Sequence, residues 1–234
     1  MRLSKLTMVM AFAMVLGFAT LAFAGPLSEL DGGNWWWLYS NKAGEATGWQ
    51  HDVNTKVTVD GTTAIKTTRT LFEKKGNKTV EMEFVRSTNQ PMHSFTMKVE
   101  GKTVTGKPVE GGYEIMDGAN KIMLKKGDFD YFSYDEQEIL NNVPEKQAKE
   151  FKIFCFKEMK VVKVTYKNEG SEKIQVQGND IDAGVYNIVE GTSLTRWWVA
   201  KKTLAMMKMR NENADNTGKR VKMEEVKKAF PNAK

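Results

Sequence analysis

The feature that most constrains this chain is a run of short segments with alternating side chains, parted repeatedly by glycine-bearing turns. A period of two sends successive residues to opposite faces, which is the geometry of a strand rather than a helix. Within 53–59, Val53, Thr55, Val57 and Val59 share one face, and Asn54, Lys56 and Thr58 share the other. Asp60-Gly61 follows, a favoured two-residue hairpin turn, and 64–73 returns as the partner strand. Gly76-Asn77 leads into 79–86, where Val80, Met82 and Phe84 share a face. Phe95, Met97 and Val99 repeat the pattern before Gly101-Lys102, and 113–116 and 121–124 flank Asp117-Gly118. Strands so spaced, with no helix between them, argue against a parallel α/β sheet and predict a mainly β fold of antiparallel hairpins.

The rhythm breaks in the middle. Residues 128–135 are acidic and aromatic, and 136–149 are polar, with one or two helical turns expected around Pro144. We read 126–150 as the connection between two halves. Strands resume at 151–156 and 161–166; a turn at 168–171 leads to 173–177, and further strands are expected at 184–189, 194–200 and 203–209. Val221, Val226, Ala229 and Phe230 then fall at helical spacing, predicting a short C-terminal helix over 220–230 that Pro231 stops.

The first residues have the order of a cleavable secretory signal. Arg2 and Lys5 form a cationic start, 6–23 is almost wholly apolar, and Ala22-Phe23-Ala24 supplies small residues before Gly25-Pro26. This predicts cleavage after Ala24, leaving 25–234 as a single β-rich domain in the periplasm. No cysteine stands at the cleavage point to take a lipid, and no later segment is apolar enough to span a membrane. Losing Arg2 and Lys5 takes the formal charge from +6 to +4. The remaining charge is scattered in pairs such as Lys125-Lys126 and Lys201-Lys202, which argues against nucleic acid as a partner but is compatible with peripheral contact with anionic lipid. Cys155 is the only cysteine, so no intrachain disulfide forms and the hydrophobic core must supply the stability.

Catalytic and metal chemistry find little support. His51 and His93 lie in no metal-ligand spacing, and Cys155 sits in an apolar strand rather than in the electropositive, exposed setting of a reactive thiol. Gly191-Thr192-Ser193-Leu194 lacks the second glycine of a nucleophile elbow. Asp128, Asp130, Ser133 and Asp135 offer oxygen donors without the turn glycine or closing glutamate of a calcium loop. We therefore expect no metal, no cofactor and no enzymatic activity. Tryptophan is the unusual resource: residues 35–37 and 197–198 carry five of the six. On a strand Trp35, Trp37 and Tyr39 face one way and Trp36 and Leu38 the other, so both faces need cover: ordinary core on one, and on the other a cavity or a packed helix. Trp35, Trp37, Tyr39, Trp197 and Trp198 are the candidate ligand-binding residues, suited to a largely apolar pocket.

The order of these features resembles a known family. The signal, the strand of Trp35 and Tyr39, the hairpin between Gly44 and Gly48, and the Asp-Phe-x-Tyr-like link at 128–131 are followed by a Val-x-Tyr strand before Gly170. Val185 and Val189 come next, and Arg196-Trp197-Trp198-Val199-Ala200 closes the series. Together they are similar to the outer-membrane lipoprotein-sorting, or lipoprotein-carrier-like, periplasmic β-proteins. The resemblance implies a strongly curved antiparallel sheet, a half-barrel, closed over an apolar cavity that holds acyl chains. The expected function is thus binding or carriage of a hydrophobic small molecule or lipid. Alternatives are a cell-envelope protein-interaction module, whose partner would be an envelope protein, and a hydrolase with no recognisable motif.

Overall fold

A computed structural model of the protein describes residues 32–87, 93–156 and 158–233; the signal segment lies outside them. The chain opens with β1 (Asn34–Ser40), β2 (Ala46–Val59), β3 (Thr62–Glu73) and β4 (Lys78–Ser87), then β5 (Ser94–Val99), β6 (Lys102–Val109), β7 (Gly112–Asp117) and β8 (Asn120–Lys125). After the short β9 (Tyr131–Phe132) and helix α1 (Glu136–Asn141) come β10 (Ala148–Cys155), β11 (Lys160–Val176), β12 (Asn179–Glu190) and β13 (Ser193–Ala200). β14 (Met206–Asn211), β15 (Asn216–Val221) and helix α2 (Met223–Ala229) complete it. The fold is mainly β, as the alternation predicts, and all the strands belong to one 15-stranded sheet.

The sheet runs β8 to β1, then β15 back to β9, so the two halves join through β1 and β15, near the two ends of the described chain. Neighbours are antiparallel except β9 and β10, which are parallel. Local chemistry explains the hairpins: at the predicted Asp60-Gly61 turn both residues have positive φ, 49° and 73°, the twist that suits two antiparallel strands. Four details differ from the sequence reading. The expected turn at 168–171 is a bulge inside one long strand, β11, where the Asn168 side chain accepts from Gly170 N and donates to the Val143 carbonyl, holding the chain extended. The helix α1 ends before Pro144 rather than surrounding it. The strand expected at 203–209 starts only at Met206, and β15 precedes a terminal helix shorter than 220–230.

One face of the sheet is concave. Strand parity places Phe84, Arg69, Asp52, Trp37, Met209, Trp197 and Tyr166 on it. The sheet does not close by hydrogen bonding. Its β9–β10 margin is instead tucked beneath the other end: Phe132, Phe154 and Phe156 pack on Phe84, Phe95 and Tyr113 of β4, β5 and β7. The opposite face of that margin, with Phe151 and Ile153, packs against α1 and against Tyr166, Tyr186 and Val199. Both faces of β10 are buried there, which accounts for the unbroken apolar run Ile153-Phe154-Cys155-Phe156. On the convex side, α2 seats Val226 on Trp36, Trp49 and Val221. Among the described residues no helix is long and apolar enough to cross a membrane.

Candidate functional site

The site is built on the middle of the concave face, where β1 meets β15. Trp35, Trp37 and Tyr39 project there together, as their spacing predicts. Trp37 is 2% exposed and belongs to the core. Trp35 and Tyr39 are half-buried. Tyr39 and Met209 lie over Gly218, the residue between them in the ladder; a Cβ at Gly218 would stand 2.7 Å from the Tyr39 ring and 3.0 Å from Met209 Cγ. A glycine is therefore required for the ring to lie flat on the sheet. Met209 is opposite Trp197, and Trp197 meets Tyr166 edge to face, with centroids 6.1 Å apart. The result is a stripe of half-buried aromatic rings and thioethers, Trp35, Tyr39, Met207, Met209 and Trp197, between the two sealed clusters.

Trp198 is elsewhere. As the neighbour of Trp197 on a strand it faces the convex side, packed on Ala183 and Val185, donating to the Glu172 carboxylate and lying under Lys208 Nζ at 4.6 Å. The structure thus brings Trp35, Trp37, Tyr39 and Trp197 to one face and Trp198 to the other. Trp36 is also convex and stacks on His51, with centroids 3.9 Å apart. Burial lowers the pKa of this histidine, and Asp52 opposes the shift.

Polar groups line the concave face beside the stripe. Tyr39 Oη donates to Gln50 at 2.9 Å, and Gln50 Nε2 donates to Asp52 at 2.8 Å. Arg69 grips Asp52 through Nε at 2.7 Å and Nη2 at 2.9 Å. Burial alone would lower the Arg69 pKa, but Asp52 outweighs it and the net shift is upward. A second run links β2 to α1: Thr67 donates to Asn54 at 2.6 Å, and Arg86 donates to Thr67, to Gln137 and to the Tyr134 carbonyl. These residues were not visible to hydrophobic patterning, because on β2 the polar residues Gln50, Asp52 and Asn54 are buried while Val53, Val57 and Val59 are only half-buried. The signal that could have found them is the cross-strand pairing of Asp52 with Arg69 and of Asn54 with Thr67, which requires the register.

Arg220 on this face has no such partner among the described residues. Arg220, on β15 opposite Trp37, stacks on Trp35 with Cζ 3.7 Å from the ring centroid. Burial pushes its pKa down to about 10, Asp52 being the opposing charge. No group of three or more His, Cys, Asp or Glu side chains among the described residues could hold a metal ion.

No protein-family model and no curated protein matches the chain. Solved structures are similar to the chain, among them the following two. A protein predicted to be exported, with a YmcC-like fold, from Bacteroides fragilis aligns with a TM-score of 0.40 at 8% identity, over 81% of this chain and 94% of that one. A β-barrel-like protein of domain of unknown function DUF1849 from Brucella abortus aligns with a TM-score of 0.50 at 12% identity, again over 81% and 94%. The second likeness, with the rolled sheet described above, identifies the chain's fold as β-barrel-like.

Proposed function

We propose that this chain is an exported binding protein that holds a hydrophobic ligand, a lipid or the acyl chain of a lipoprotein, against the concave stripe during passage through the periplasm. The carrying observation is that Trp35, Tyr39, Met207, Met209 and Trp197 remain half-buried in the centre of the concave face, while the clusters on either side are sealed. Aromatic rings and thioethers are large, polarizable and adaptable, which suits chains of variable length. Shielding an acyl chain from water contributes about 0.8 kcal/mol per methylene, enough for useful affinity from a medium-length chain. The reading needs no catalytic group, and we propose a carrier rather than an enzyme. The family resemblance and the secretory signal support it from the sequence side.

Mass spectrometry of gently extracted protein tests this, together with tryptophan fluorescence on adding lipid. Co-purified lipid and a ligand-dependent emission shift are expected. Trp197→Ala weakens binding by about tenfold through loss of buried aromatic area, whereas Trp198→Ala, on the opposite face, leaves it unchanged. Lipid-free protein with unmoved fluorescence would refute the proposal.

A further inference from the structure

The donors around Trp35 are incompletely used, and this bears on what kind of amphiphile the stripe takes. Arg220 Nε is buried and makes no hydrogen bond. Among the described residues the carboxylate acting on this guanidinium is Asp52, which already receives two hydrogen bonds from Arg69 and one from Gln50. Asn54 Nδ2 is a second buried donor without a partner. It borders the same ring: a Cβ built on Gly33 would lie 2.8 Å from Asn54 Nδ2 and 2.7 Å from the Trp35 indole. Buried polar groups are nearly always hydrogen-bonded, so two unsatisfied donors beside one half-exposed tryptophan require explanation. Both are donors, and one is cationic, so an anion bearing oxygen acceptors would satisfy both.

The convex side behind Arg220 is also basic. Arg220 also lines an open groove of about 470 Å³ between the β11–β12 turn and strands β14 and β15. The other charged residues lining it are Lys208 and Lys219, which face the convex side, together with Lys222 and a single acid, Glu225. Lys208 and Lys219 lie across the sheet from the Arg220 guanidinium, so the groove is a neighbouring basic surface and not part of the anion site.

We propose that Arg220, stacked on Trp35 and assisted by Asn54, binds the anionic head, carboxylate or phosphate, of an amphiphile whose chain lies on the Tyr39–Met209–Trp197 stripe. The inference rests on the carrier reading and narrows its ligand from hydrophobic to anionic-amphiphilic. A guanidinium offers its fork to two oxygens at once, which a lysine cannot do.

The test is fluorescence titration of the full mature chain with ligands of one chain length and different heads: laurate, dodecyl phosphate and dodecanol. Acetate and inorganic phosphate serve as heads without chains. Laurate or dodecyl phosphate should bind about tenfold or more tightly than dodecanol, and the stronger of the two identifies the head. Arg220→Gln should bring the affinity ratio of the anionic ligand to dodecanol down to about one, and Arg220→Lys should restore that ratio only partly. Circular dichroism confirms that each variant is folded. Equal affinity for dodecanol and the anions overturns the proposal and leaves the carrier intact. Retention of the preference in Arg220→Gln overturns it too, as does binding of acetate or inorganic phosphate as tight as that of the chain ligands. If none of the three chain ligands binds, the carrier reading itself fails and this inference falls with it.

Discussion

Replacing Asp52 by Asn keeps the side-chain shape and removes one charge from the centre of the concave face. In the folded chain the Asp52 side chain is 5% exposed and that of Arg69 is 13% exposed, so solvent cannot compensate for a lost partner. Arg69 would keep at most one hydrogen bond, to the amide oxygen of the substituted side chain, and would lose the opposing charge and the second hydrogen bond; its stacking on Phe84 and Tyr134, at 5.5 and 5.1 Å, and the field of Glu136 remain. Breaking a buried pair from one side costs about 3–5 kcal/mol, because the surviving charge stays buried without compensation. For a chain of this size each kcal/mol lowers the melting temperature by about 2–4 °C, so D52N should melt about 6–20 °C below the parent. The revealing variant is the double substitution D52N/R69M. Removing both charges should recover roughly half of the loss or more, since desolvation of a buried pair offsets much of its attraction. The assay is a thermal melt followed by near-ultraviolet circular dichroism, with urea unfolding to give free energies for the cycle. A D52N penalty below about 1 kcal/mol, the scale of exposed ion pairs, would refute the reasoning, as would a double variant no more stable than the single one.

The other predictions concern protonation and packing. Asp135 is 0% exposed, its Oδ1 has no partner, and burial, reinforced by Glu138, holds its pKa well above the usual carboxylate value. The folded chain therefore keeps a proton that the unfolded chain releases, so this group favours folding below the ordinary carboxylate range and loses that contribution as pH rises through the raised value. Asp135→Asn, which can still accept from Phe132 N, should flatten the fall in stability with rising pH in urea titrations; an unchanged slope would show that Asp135 is not its source. Gly218→Ala places a methyl 2.7 Å from the Tyr39 ring and should cost about 1–3 kcal/mol by overpacking. A change under about 0.5 kcal/mol in urea unfolding, the scale of a neutral surface substitution, would mean the ring has room to move.

Much of the fold is legible in the sequence because hairpins are local. Val80, Met82 and Phe84 alternate, and their face is the concave one, against which Phe156 packs. Asp60-Gly61 turns the chain where the pattern requires. What escaped is long-range or polar. β15 reads Asn-Thr-Gly-Lys-Arg-Val, without an alternating apolar face, and is a strand because β1 and β14 pair with it on both sides. The candidate site was half legible for the same reason. Parity alone groups Trp35, Trp37 and Tyr39 and separates Trp197 from Trp198. Arg220 and Asn54 come beside Trp35 only once β1 has paired with β15 and β2.

The way the sheet rolls up bears on how such a site can admit a ligand. A barrel closed by a ladder fixes its circumference, since changing it means breaking hydrogen bonds along a whole strand. Here the β9–β10 margin slides under β4–β8 and is held by rings: Phe95 on Phe156 at 4.4 Å and Tyr113 on Phe132 at 4.7 Å. Contacts of this kind are non-directional and individually weak. The directional anchors lie elsewhere, in the run from Asn54 through Thr67 and Arg86 to Gln137 of α1 and in the Asp52–Arg69 pair. They tie α1 to β3 and β4, and Arg86 of β4 also holds the Tyr134 carbonyl just past β9, whereas the contact between the margins is otherwise built mainly of rings. Directional bonds thus fix the polar centre beside Trp35, whereas the overlap rests mainly on ring packing, an arrangement that suits the proposed carriage of chains of unequal bulk.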